Sequence, residues 1–237
     1  MSAAAIAITK REIRTYFNSP VAYIVATVYM LLAGYLFFNT LFIEKQAEMR
    51  GYFGLVPMLF TFIIPAITMR LIAEEKGSGT LELLITMPVR DWEVVVGKFL
   101  AAMSLLAALL GLTLVYAITL SFIGPIDKGP TYGGYFGLLL MSGAFASIGV
   151  MASSLTRNQI VAFILAFAIS FTLYLCGRIV QIVPPTLQPV VAFLAIDGHF
   201  ESISRGVIDS RDVLYYVSVM AVGLVVATVS LESRKWK

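Results

Sequence analysis

The segment that decides the fold reads FLAAMSLLAALLGLTLVYAITLSFI and runs from Phe99 to Ile123. It contains no charged residue and is longer than the roughly 20 apolar residues that a helix needs to cross the hydrocarbon of a bilayer. Five further segments resemble it in length and apolar content, namely 21–43, 55–73, 135–155, 160–183 and 213–231. The sequence therefore predicts six membrane-spanning helices, the second of them kinked or broken at Pro57 and Pro65.

The composition of the whole chain agrees with this prediction. Of its 237 residues, 59% are hydrophobic and 13% are charged, whereas a soluble domain averages about 25% charged residues. The apolar content excludes a disordered chain, and the single cysteine, Cys176, excludes a disulfide scaffold. The net charge of +3 comes from scattered basic residues without a patch, so no nucleic acid is expected as a partner.

These features predict one all-α transmembrane domain over residues 1–237. Its parts are an interfacial helix (1–20), spans one and two (21–73), a cytoplasmic linker (74–98), spans three to five (99–183), an extracytoplasmic segment (184–212) and span six with a tail (213–237). Ile6, Ile13 and Phe17 can share one face of the first helix, which predicts an amphipathic membrane anchor.

The distribution of lysine and arginine predicts the orientation. One side of the predicted membrane carries 11 lysine and arginine residues, located in the two terminal tails, in the stretch from Arg70 to Lys98 and at Arg157. The opposite side carries 6. Because basic residues favour the cytoplasmic side, we expect both termini and the linker in the cytoplasm of a multi-pass protein of a bacterial inner membrane.

Small residues recur four apart in the fourth span, as at Gly143/Ser147 and Gly149/Ser153, and in the third, as at Ala107/Gly111. Such spacing lets helix backbones approach closely in lipid. It fits packing within one subunit as well as a seam between two copies.

Several function classes are disfavoured by what the spans lack. No acidic residue lies in the central part of a span, and the one histidine, His199, lies in the outer segment. An ion-coupled carrier holds its ion with such groups near the midplane, and a metal site needs several of them together. The stretch Gly77-Ser78-Gly79-Thr80 lacks the lysine and the spacing of a phosphate-binding loop, so we expect no enzymatic activity and no cofactor in this chain.

The linker reads RLIAEEKGSGTLELLITMPVRDWEVVVGK from Arg70 to Lys98. Gly77 is placed to end the second span as a left-handed cap, Thr80 to cap a short amphipathic helix over 81–87, and Asp91 to cap the next helix. The short helix fits an element that transmits the movement of a soluble subunit to the spans. It fits equally a loop that lies among the lipid headgroups.

The stretch from Ala73 to Leu84, with Met87-Pro88-Val89 and Gly97-Lys98, resembles the linker of ABC-2-type transporter permeases. The resemblance extends over the whole chain. The outer stretch from His199 to Tyr215 is similar to bacterial permeases of the gliding-motility-associated and multicopper-enzyme-maturation types.

This resemblance implies the permease subunit of an ATP-driven transporter whose linker carries a coupling helix, and export is the expected direction. The implied partners are a separate ABC ATPase that holds ATP and Mg²⁺, a second copy or a related permease, and an auxiliary membrane subunit with an extracytoplasmic domain. The residues expected to contact the ATPase are Glu75, Gly77, Gly79, Thr80, Leu81, Glu82, Leu83 and Leu84.

The outer segment predicts either an interfacial or re-entrant element that completes the fold or a docking surface for the auxiliary subunit. Phe200, Arg205 and Asp209 are the candidate contacts for such a subunit. The alternative function is a mechanical or assembly subunit, which passes ATPase motion to an outer partner without moving a solute.

Overall fold

The computed structural model describes residues 3–44, 48–80, 89–124 and 126–233, and within these ranges it contains helices and no strand. In chain order these helices are α1 (Ala3–Asn18), α2 (Pro20–Glu44), α3 (Arg50–Thr68), α4 (Arg70–Ser78), α5 (Asp91–Ile123), α6 (Lys128–Leu155), α7 (Gln159–Ile179), α8 (Gln188–Leu194), α9 (Ile196–Ser204) and α10 (Ser210–Glu232).

Six helical segments of the described chain are long and apolar enough to cross a membrane. They are α2, α3 continued by α4, α5, α6, α7 and α10. The prediction of an all-helical membrane protein with six spans is confirmed. Helices α1 and α4 meet the start of α5 at one end of the bundle, called here the α1 end, and α9 packs at the opposite α9 end.

Helix α6 is the central span. In its apolar window 78% of the residues are buried, compared with 22% in α7 and in α10. Gly223 of α10 faces Ser147 so closely that a Cβ there would lie 2.8 Å from the Ser147 Oγ. The small residues of the fourth span therefore serve packing within one chain, whereas Ala107 and Gly111 on α5 are exposed.

Two helices extend beyond the apolar spans that they contain. Helix α3 begins at Arg50, earlier than the predicted start of the second span near residue 55, and α5 begins at Asp91, where the sequence predicted a helix that continues into the span from Phe99. Arg90, not Asp91, is the N-cap of α5, and its backbone N–H donates to Glu93 Oε2 at 2.9 Å. A count of apolar residues misses these helix ends because a helix continues beyond the hydrocarbon with polar turns.

The predicted interruption of the second span is found at Met69, not at either proline. Pro57 and Pro65 both lie inside α3, which ends at Thr68. A proline has no N–H to donate to the carbonyl four residues earlier, so the bond missing at Pro65 is the one to the Thr61 carbonyl. Met69 separates α3 from α4, and its own N–H still donates to the Pro65 carbonyl at 2.9 Å.

Helix α1 packs on the bundle with part of its predicted apolar face left exposed. Ala5 and Tyr16 are buried, and the Tyr16 hydroxyl donates to the Ile67 carbonyl at 3.3 Å. Ile13 is half-buried and packs against the core. Ile6 and Phe17 are exposed and are the two residues of that face that are free to contact lipid.

The outer segment forms two short helices. No residue of α8 is buried, and α9 packs on α6 through Phe200 and Ile203. Tyr216 of α10 donates to the Ile196 carbonyl at 2.8 Å. The segment therefore completes the α9 end of the bundle, with α8 lying at the surface.

Candidate functional site

Helix α1 lies directly against the first turns of α5. The Thr9 hydroxyl lies 3.1 Å from the Gly97 carbonyl, and a Cβ on Gly97 would lie 2.9 Å from Ile8 Cγ2. The two backbones approach this closely because position 97 has no side chain. The next residue along α5 is Lys98, which is thereby brought close to α1.

Lys98 is the centre of the site. Its side chain is 1% exposed, and its Nζ lies 2.9 Å from Glu75 Oε1, 3.2 Å from Glu12 Oε1 and 2.6 Å from the Leu71 carbonyl. The contacts to Glu12 and to the Leu71 carbonyl are hydrogen bonds, and the contact to Glu75 is an ion pair. A buried charge needs such compensation, so Lys98 holds α1, α4 and α5 together.

Glu75, one of the predicted coupling residues, lies inside this network. Its Oε1 forms an ion pair with Lys98 Nζ at 2.9 Å and accepts a hydrogen bond from Arg11 Nη2 at 3.4 Å. Its Oε2 is buried and has no hydrogen-bond partner in the described part of the chain. Glu75 is therefore held by its ion pairs and is not a free surface carboxylate.

The break between α3 and α4 is closed by a side chain of α6. The Ser153 Oγ accepts from the backbone N–H groups of Ile72 and Ala73 at 3.0 and 2.9 Å, and it donates to the Met69 carbonyl at 2.8 Å. Ser153 is fully buried. Backbone groups in a membrane have no water to bond with. This hydroxyl therefore stabilises the break by supplying the hydrogen bonds that water cannot.

The carbonyl of Ser154 joins three helices at the same end. It accepts from Lys76 of α4 and, at 2.8 Å, from the Ser230 hydroxyl of α10. Helix α4 is thereby fixed to the central helix on one side and to α1 and α5 on the other.

The predicted cap at Gly77 is wrong by two residues. Gly77 lies inside α4, where a Cβ would be 2.9 Å from the Arg157 carbonyl, and Gly79 ends the helix in the left-handed conformation with φ of 74°. The Thr80 and Ser78 hydroxyls lie 2.9 Å apart. The other four predicted coupling residues, Leu81, Glu82, Leu83 and Leu84, lie outside the described residues.

A polar cavity of about 380 Å³ opens beside this network. Its lining includes Arg11, Glu12, Arg70, Glu74, Glu75 and Lys98. The Arg70 guanidinium lies 5.3 Å from the centre of the Tyr16 ring, and burial raises the pKa of the Tyr16 hydroxyl. The α1 end of the bundle is therefore polar and highly charged, unlike the spans.

The candidate contacts for an outer partner divide into two kinds. Phe200 is 3% exposed and packs against Phe53 at a ring distance of 6.3 Å, so it belongs to the core and is not available to a partner. Arg205 and Asp209 are exposed. Arg205 pairs with Glu201, and Asp209 caps α10 by accepting from the Arg211 N–H at 2.9 Å.

Sequence reasoning missed Glu12 and Ser153 and gave Lys98 no role beyond the linker. A signal for Glu12 existed, because it is the one acidic residue of the basic helix α1. Ser153 carried no comparable signal, since its spacing in α6 suggested only close packing. Within the described residues no group of three or more histidine, cysteine or acidic side chains is placed to hold a metal ion.

Comparison with known proteins gives a match over nearly the whole chain. Residues 2–236 match the family model described as ABC-2 family transporter protein. The probable multidrug ABC transporter permeases YbhR of Escherichia coli K12 and of Escherichia coli O157:H7 are each 28% identical over 155 residues. That alignment covers 64% of this chain and 41% of each relative, so the chain spans less than half the length of these relatives. The chain belongs to the ABC-2 transporter family.

Proposed function

We propose that this chain is the membrane permease subunit of an ATP-driven ABC transporter and that it is moved by a separate ATPase subunit. Membership of the ABC-2 family and the similarity to relatives named as probable multidrug ABC transporter permeases support this. ATP and Mg²⁺ belong to the partner in this proposal, since the sequence contains no GxxxxGK[ST] motif.

The α1 end of the bundle faces the cytoplasm in this proposal. The described chain starts in α1 and finishes just after α10, and both are bonded to this end through Thr9 and Ser230. The excess of basic residues on the same side, 11 against 6, supports this orientation in a bacterial inner membrane.

The observation that carries the proposal is the bonding of Lys98 to both flanks of the linker. Helix α4 leads into the linker and α5 leads out of it, and Lys98 of α5 is paired with Glu75 of α4 and with Glu12 of α1. A force applied to the linker would therefore move α3, α5 and α1 together. An ATPase that closes against the linker needs such a rigid connection.

The ATPase contacts in this proposal are the linker residues predicted from the sequence. Within that set, Glu75 fixes α4, and Gly79 and Thr80 begin the turn that follows α4. A second copy of the chain, or a related permease, pairs with it through the exposed apolar faces of the spans. The proposed direction is export. An auxiliary outer subunit, if one belongs to the complex, meets the exposed Arg205 and Asp209.

The test is to isolate the full complex by gentle detergent extraction and identify every co-purifying chain by mass spectrometry. We expect an ABC ATPase. Glu82→Arg and Leu84→Asp should remove it, whereas Ile6→Asp, on the exposed apolar face of α1, should leave it bound. Isolation of the intact complex without an ATPase, or retention of the ATPase by both linker variants, would contradict the proposal.

Transport and mechanical roles are separated by a second measurement on the same complex in proteoliposomes. A permease shows ATP-dependent movement of an apolar dye across the membrane, which Lys98→Met should reduce more than it reduces ATPase binding. ATP hydrolysis that alters an outer partner without any such movement would favour the mechanical subunit instead.

A further inference from the structure

A long apolar groove lies on the lipid-facing side of the bundle, away from the charged α1 end. Its volume is about 450 Å³, and it is bounded by α6, α7, α8 and α10. One face of α10 forms its floor, with Leu214, Ser218 and Val222 at spacings of four residues. Ile169 and Leu173 of α7 form the opposite wall.

The groove has a length that suits one leaflet of a bilayer. Along α10 its lining extends from Arg211 to Gly223, which is a rise of about 18 Å at 1.5 Å per residue. One leaflet contributes about 15 Å of hydrocarbon, half of the roughly 30 Å core. An extended acyl chain that enters at Arg211 would reach the middle of the membrane at the far end.

The charged side chain at the mouth of the groove is positive. Arg211 is the only charged side chain among the described residues that line the groove, and it is exposed. A guanidinium binds phosphate oxygens in a bidentate manner. The backbone N–H of Arg211 is bonded to Asp209, which fixes the start of α10 and leaves the guanidinium at the rim.

Helix α8 indicates that this mouth lies at the level of the lipid headgroups. None of its residues is buried, and Val190 and Phe193 are 58% and 64% exposed. Phe193 packs edge-on against Tyr215 at 5.7 Å, and the Tyr215 hydroxyl donates to the Leu194 carbonyl at 2.9 Å. An apolar surface helix held in this way fits the membrane interface.

We propose that this groove is a binding site for a membrane glycerophospholipid, with its phosphate on Arg211 and one acyl chain lying along α10 between α6 and α7. The combination of an apolar groove of leaflet depth and a single cation at its mouth selects a ligand with a tail and an anionic head. The site lies at the opposite end of the bundle from Lys98 and does not depend on the proposed coupling.

The test measures lipid binding to the purified chain by native mass spectrometry in detergent. The two probes are dioleoyl-phosphatidylglycerol and dioleoylglycerol, which share their acyl chains and differ in the anionic phosphoglycerol headgroup. Phosphatidylglycerol should bind at one site, and Arg211→Gln should weaken its binding about tenfold, because charge-assisted hydrogen bonds to phosphate are lost. Arg205→Gln removes the same charge outside the groove and should change it less than about twofold.

Binding of the acyl chain is tested by Ser218→Trp, whose large side chain fills the groove. The control is Val217→Trp, on a neighbouring exposed face of α10. The first should abolish specific binding of phosphatidylglycerol, and the second should leave it intact, with both variants monodisperse and helical. Equal binding of the two lipids, or equal binding by wild type and Arg211→Gln, would overturn the proposal. So would a Ser218→Trp variant that separates two copies of the chain and binds lipid normally, since the groove would then be a subunit interface.

Discussion

The ammonium group of Lys98 lies 2.9 Å from the Glu75 carboxylate, although the two residues belong to separate spans at the two ends of one linker. The contact is 99% shielded from solvent on the lysine side and 85% on the glutamate side, since their side chains are 1% and 15% exposed. Charges buried to this degree interact strongly and tolerate the loss of one partner poorly. The pair therefore joins α4 to α5 at the α1 end of the bundle.

Replacement of Lys98 by methionine should destabilise the chain by about 3 kcal/mol, because Glu12 and Glu75 would lose their buried cation and keep only the exposed Arg11, at 3.9 and 3.4 Å. Chemical unfolding in mixed micelles measures the effect. The exposed Arg11→Met variant, which removes the weaker 3.4 Å contact to Glu75, should cost less than about 1 kcal/mol. Similar losses for the two variants would show that the Lys98 network is not a stabilising unit.

Replacement of Ser153 by alanine should cost about 2 kcal/mol and increase amide hydrogen exchange at Ile72 and Ala73. The reason is that two backbone donors and the Met69 carbonyl lose their partner in a buried place. Ser154→Ala is the matched control. The Ser154 hydroxyl bonds only within its own helix, to Met151 at 2.7 Å, and its carbonyl contacts are kept, so exchange at Ile72 and Ala73 should stay at the wild-type rate.

The end of α4 gives a prediction that separates two uses of glycine. Gly79→Ala should cost about 1 kcal/mol because φ is 74°, and Gly79→Asn should cost less because asparagine accepts the left-handed conformation more readily. Gly77→Ala should instead displace α4 from the Arg157 carbonyl, since a Cβ would lie 2.9 Å from it. The free energies of unfolding of Gly79→Ala and Gly79→Asn test the order of these two costs. The same measurement on Gly77→Ala tests the effect of displacing α4. Equal costs at Gly79 for alanine and asparagine would contradict the conformational explanation.

The number and order of the spans could be predicted because each apolar run is long and carries at most one charged residue, near its end. The start of α3 could not, since its polar first turn looks the same as a linker in a count of apolar residues. The prolines predicted an interrupted second span, but the break lies at Met69, four residues after Pro65. The side chain that makes this break tolerable, Ser153, lies more than 80 residues away along the chain and was not predictable from local pattern.

In the candidate site too, contacts between residues distant in sequence could not be predicted from local pattern. Glu75 was predicted as a coupling residue from the resemblance, whereas its role in the structure comes from Lys98 and Glu12, which are distant in sequence. Phe200 was predicted as an outer contact because it is aromatic and lies among charges. Its burial against Phe53 depends on how α9 folds back onto α3 and α6, which no local pattern reveals.

The last prediction concerns the pH dependence of stability and a carboxyl group of helix α9. Asp197 lies 3.4 Å from Arg178, which alone would lower the pKa of its carboxyl group, but burial has the larger effect and raises that pKa above its ordinary value. A group with a raised pKa in the folded state binds its proton more tightly when folded. Its contribution to stability is therefore lost as the pH rises from the ordinary aspartate value of about 3.9 through the raised folded value.

Asp197→Asn removes this titration. The stability of the variant relative to wild type should rise with pH across that window and stay constant below it. Thermal unfolding of both proteins in the same detergent, at a series of pH values from about 3.5 to 7 that brackets the ordinary aspartate pKa, measures the difference. If Arg178 dominated instead of burial, the sign would reverse, and the variant would lose stability relative to wild type as the pH rose. The slope therefore decides which of the two influences governs Asp197 at the junction of α7 and α9.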